Sequence, residues 1–174
     1  MADTILIMGN GFDIAMGRKT KYTDFIEFEK QLFSNPDEEL LEFLKAKNIS
    51  IEKYKDNLYL KFINENEETL GINWSNIELI ISRLLDAIVY FKNNSDVLFE
   101  SIYYFDTYKF DKVLLDRSNY IAKYYVVKVI VGNFGQIEFD NKEKELLIEE
   151  LDKLFLNQLD LLIELLEIYL SYLD

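Results

Sequence analysis

One proline, Pro36, and six glycines punctuate 174 residues, and three of those glycines stand together at Gly9, Gly11 and Gly17. Scarce helix breakers favour long helices over a turn-rich β architecture. The glycine cluster is the exception. It follows Thr4–Met8, a continuous apolar run of the kind buried in a parallel sheet, and leads toward helical spacing from Tyr22 onward. A strand, a glycine turn and a helix in that order form a junction where α/β proteins hold phosphate. Glycine lets backbone N–H groups approach the anion, and the helix N-terminus adds a favourable dipole.

The downstream pattern is helical. Phe25, Ile26, Phe28, Leu32 and Phe33 fall on one face of a helix from Tyr22 to Phe33, with Thr23 as its expected cap. Ser34-Asn35-Pro36-Asp37-Glu38 restarts the chain with a cap, a first-turn proline and acids, predicting a helix from Pro36 to about Lys47. Trp74-Ser75-Asn76-Ile77-Glu78 opens another, Ser75 and Glu78 having capping-box spacing, and Asp96 to about Phe105 forms the next. Asn141 to Leu173 reads as a long Leu-rich helix with no basic residue after Lys153. Residues 48–72 mix helical spacing with a polar, acidic stretch. Within 106–137, Tyr124–Val131 has strand composition, yet a helix from about Asp111 onward can include it, and helix is the reading for the first half of Asn119–Val131; Gly132-Asn133-Phe134-Gly135 reads as a break.

Composition removes whole classes of chemistry. The chain has no cysteine and no histidine, so disulfides, thiol nucleophiles, Ser-His-Asp triads, imidazole bases and Cys/His zinc sites are excluded within it. No metal ligand set and no catalytic residue is recognised. A formal net charge of −13 opposes duplex nucleic acid and anionic membranes as partners. With no signal-peptide pattern and no long uncharged apolar run, the expectation is a soluble, cytoplasmic, single-domain protein of residues 1–174, with strand and turn in 1–21 and helices in 22–174.

Standard nucleotide fingerprints fail. Gly9 and Gly11 fit G-x-G-x-x-G, but Ile14 stands at the third glycine, and no Gly-Lys-Ser/Thr follows for a P-loop. The actual arrangement is Gly9-Asn10-Gly11-Phe12-Asp13, then Gly17, then Thr20-Lys21-Tyr22-Thr23-Asp24-Phe25. It resembles the N-terminal signature of the AbiH family of bacteriophage abortive-infection proteins, and Trp74-Ser75-Asn76-Ile77-Glu78 resembles a second feature of that family. The glycine spacing also resembles the sirtuin-type NAD-binding fold, with Asp13 at the serine position of its phosphate loop.

These resemblances imply an α/β, predominantly helical fold: a Rossmann-like sheet, incomplete here, with a large helical region. They imply a nucleotide site, for NAD or another nucleotide, built from Gly9, Asn10, Gly11, Phe12, Asp13 and Gly17, with Arg18 and Lys19 offsetting phosphate charge. The same residues also suit a plain turn, with Asn10 and Asp13 as its caps. Met16 replaces the family's histidine, Arg18-Lys19 replaces Leu-Pro, and the family's later Phe-Asn-Tyr-Thr strand motif has no counterpart before the sequence ends. The expectation is therefore a phage-defence protein with a nucleotide-binding loop. The alternative is a non-catalytic helical interaction module, or a shortened inactive member, that forms a homo-oligomer through the Leu-rich C-terminal helix.

Overall fold

The computed structural model describes residues 22–66, 74–114, 118–136 and 139–173, and their secondary structure is helical. In order these are α1 (Tyr22–Ser34), α2 (Glu38–Ala46), a 3-10 turn (Glu52–Tyr54), α3 (Leu58–Glu65), α4 (Trp74–Asn93), α5 (Ser95–Tyr103), α6 (Phe110–Val113), α7 (Tyr120–Phe134) and α8 (Asn141–Tyr172).

The Rossmann-like, sirtuin-type sheet is contradicted, because no strand occurs among the described residues. The expected strand Thr4–Met8 and its glycine turn lie outside them. A sheet needs several strands to satisfy one another's backbone groups, and the described residues supply none. The nearest candidate, Tyr124–Val131, lies wholly inside α7. Its β-branched and aromatic side chains suit burial rather than strand pairing: Ala122, Tyr125, Val126, Val127, Val129 and Ile130 are all buried. A helix apolar around most of its circumference is stable when packed on several sides. The expected break at 132–135 reduces to Gly135. α7 runs through Gly132 and stops where Gly135 adopts φ 80° and its N–H bonds Val131 O at 2.8 Å.

Local signals explain the other boundaries. α2 starts later than the proline suggested, because Asp37 is its cap and accepts from Leu40 N at 2.9 Å. Asn57 caps α3 by accepting from Tyr59 N and Leu60 N at 3.0 and 3.2 Å. A reciprocal capping box opens α8: Asp140 N donates to Glu143 Oε2 and Glu143 N to Asp140 Oδ1.

The helices form two compact units. In the first, α1, α2 and α3 accompany the last part of α8, from Asp160 on. Phe25 and Phe28 of α1 meet Tyr169 at ring separations of 5.6 and 5.0 Å, and Tyr172 joins Phe28 to Phe43 of α2. The second unit, Glu78–Leu159, packs α5 against α6 and α7. In it Lys123, almost fully buried, lies 3.6 Å from the Tyr90 ring centroid, and Lys92 pairs with Asp152. No helix among the described residues is long and apolar enough to cross a membrane.

Candidate functional site

Gly9, Asn10, Gly11, Phe12, Asp13, Gly17, Arg18 and Lys19, the expected nucleotide-binding residues, all lie outside the described residues. The described residues offer three other places where chemistry collects.

The first is an open cleft of about 530 Å3 in the first unit, between the α2–3-10 connection and the end of α8. At its centre Glu164 Oε2 receives Lys53 Nζ at 2.5 Å and the Tyr54 hydroxyl at 3.0 Å. The Lys53 ammonium also sits 4.8 Å from the Tyr54 ring centroid. The hydrogen bond from Lys53 lowers the pKa of Glu164, with the Tyr54 hydroxyl adding to it. Glu164 in turn raises that of Lys53, while burial pushes the Tyr54 phenol up. All three groups therefore keep their ordinary charge states near neutrality. The trio can orient a polar ligand, but none of its members is poised to exchange a proton.

Glu29 on α1 is the second. It stands at the same helical face as Phe25, Phe28 and Leu32, is 7% exposed, and its Oε2 has no hydrogen-bond partner. Burial raises its pKa, opposed by a hydrogen bond with Asn64 and the Lys30 charge. Its place on the apolar stripe was visible in the sequence as an acid at a core position.

The third is a concavity of about 420 Å3 in the second unit, where Tyr104, Tyr108, Lys109 and Lys112 line the surface after α5. Sequence reasoning passed over these residues, although Tyr-Tyr-Phe-Asp-Thr-Tyr-Lys-Phe-Asp-Lys (103–112) does interleave aromatics with lysines. By contrast, Lys53 and Glu164 are 111 positions apart and share no local signal.

Comparison with known proteins decides the kinship. A family model described as bacteriophage abortive infection AbiH matches residues 5–159.

The chain belongs to the AbiH family. It is by that membership a phage abortive-infection protein. No curated protein and no solved structure matches it. The AbiH match takes in the glycine segment, the tryptophan-led segment at Trp74 and the Tyr–Lys concavity, and it stops before Glu164.

Proposed function

We propose that this AbiH-family chain acts in abortive infection by binding the phosphates of a nucleotide, NAD or a relative of it, at residues 9–19. The observation that carries the reading is local: Gly9, Gly11 and Gly17 run directly into Arg18-Lys19, in a chain whose net charge is −13. Glycine backbone amides are donors that need no side chain, and two adjacent cations offset phosphate charge where the rest of the protein repels it. The proposal is for binding; with no histidine or cysteine in the chain, it invokes no imidazole or thiol chemistry. It requires no sheet. Calorimetric titration of the full chain with NAD, ADP-ribose and ATP tests it. One of them is expected to release heat, and Arg18→Gln with Lys19→Gln is expected to weaken that binding about tenfold or more, as for loss of charge-assisted contacts. Absence of heat with all three in a folded sample ends the reading.

A second reading is docking of α8 on a second copy of the chain. It is favoured by Ile163 and Leu170, seven residues apart and 47% and 43% exposed, with Leu166 between them. Light scattering is expected to show a dimer that Ile163→Glu with Leu170→Glu converts to monomer. A monomer at all concentrations removes it.

A further inference from the structure

The segment between α5 and α7 sorts its charges. Phe105 and Phe110 are buried and meet edge to face at 5.7 Å, and both touch the Tyr124 ring of α7. That anchor fixes the intervening turn, in which Asp106 takes φ 58° and Thr107 Oγ1 donates to Tyr104 O and accepts from Lys109 N. Two acids of the segment, Asp106 and Asp111, are engaged by α7 hydroxyls: Tyr124 OH donates to Asp106 at 3.4 Å and Tyr120 OH to Asp111 at 2.6 Å. The lysines instead line the concavity. Lys109 Nζ lies 5.0 Å from the Tyr104 ring and Lys112 Nζ 5.6 Å from the Tyr108 ring. Among the described residues neither lysine has a carboxylate partner. Tyr108 is 78% exposed, so its ring is available to a ligand. One carboxylate, Glu100, lines the same concavity, leaving two ammonium groups against one acid.

An aromatic face beside two ammonium groups with no carboxylate partner among the described residues matches a flat ring carrying a phosphate. The volume, about 420 Å3, is in the range of small-molecule sites and suits one base with one phosphate. A longer nucleic acid would bring its further phosphates against an acidic protein. We propose that Tyr104, Tyr108, Lys109 and Lys112 form a nucleoside-monophosphate site, with the base on Tyr108 and the phosphate on the lysines. None of these four residues belongs to the glycine segment.

The test titrates the full chain with AMP, thymidine monophosphate, free adenosine, inorganic phosphate and a (dT)6 oligonucleotide, following binding by calorimetry. Both monophosphates are expected to bind, each at least tenfold more tightly than adenosine or phosphate alone. Tyr108→Ala is expected to weaken AMP about tenfold or more, the usual scale for a lost stacking face. Lys109→Gln with Lys112→Gln should do the same and remove the salt dependence, whereas Glu100→Gln should strengthen binding. AMP binding that is lost with Arg18→Gln and Lys19→Gln but kept in Tyr108→Ala would assign the monophosphate to the glycine segment and overturn this site. Glu100, Tyr108, Lys109 and Lys112 are at the surface, and unchanged circular dichroism confirms the fold of each variant. The proposal is overturned if no monophosphate binds, if Tyr108→Ala and the lysine pair leave affinity intact, or if only (dT)6 binds.

Discussion

Phe28→Ala is expected to destabilise the chain by about 3–5 kcal/mol, the usual cost of removing a buried phenyl ring and leaving its cavity. Phe28 is 4% exposed and meets two rings of α8, Tyr169 at 5.0 Å and Tyr172 at 5.7 Å. Removing it takes away apolar burial and both ring contacts at once, and it unpins Tyr172, which also meets Phe43 of α2 at 5.3 Å. Against a typical total stability of about 5–15 kcal/mol, such a loss moves the chain close to unfolding. Phe28→Leu, which keeps most of the volume, is expected to cost less than about 1.5 kcal/mol. Urea titration of both variants, followed by helical circular dichroism, checks the pair. Equal midpoints for Phe28→Ala and the parent would show that this aromatic cluster does not hold the first unit together.

The second expected effect has the opposite sign. Glu29→Met is expected to stabilise the chain at pH 7 by about 1–3 kcal/mol, the range for relieving a buried polar group that lacks a partner. Glu29 is 7% exposed, and its Oε2 is unbonded. Burial holds its pKa above the ordinary carboxylate value, so the folded chain favours the neutral carboxyl more than the unfolded chain does. That contribution is complete below the ordinary carboxylate range and is lost as pH rises through the elevated folded pKa. The advantage of Glu29→Met should therefore be largest at neutral pH and shrink toward pH 4. Glu29→Gln removes the titration, can keep the hydrogen bond with Asn64, and should flatten the same pH dependence. Parallel stability–pH profiles for parent and variants would show that Glu29 carries no folding cost of ionisation.

Glu29 also shows how far the sequence could be read. The stripe Phe25, Phe28, Leu32 placed α1 and its buried face correctly, but it did not single out Glu29, an acid buried on that face. The Leu-rich pattern of Asn141–Leu173 did the same for α8, whose Leu147, Leu151, Leu162 and Leu165 are buried and whose bounds fall within a residue of expectation. Both are helices whose apolar period repeats within one or two turns, so neighbours in sequence report which side is inside. The start of α4 is read instead from the capping-box spacing of Ser75 and Glu78, but α4 begins at Trp74, so Ser75 lies inside the helix rather than at its cap.

The sequence by itself determined the helical character of most of the chain, the absence of imidazole and thiol chemistry, and, through the glycine-led N-terminal pattern, the abortive-infection kinship that the family match bears out. Tertiary structure decided what local pattern leaves open. Tyr124–Val131 has side chains that suit either strand or helix, and only its burial within the second unit made it α7. Glu164 became the partner of Lys53 and Tyr54 across more than a hundred residues because folding brought two helical segments side by side. The lysines at 109 and 112 face outward because Phe105 and Phe110 are anchored inward. A helix's period is written in adjacent residues, whereas burial on several sides and pairing over long separations exist only once the chain has closed on itself.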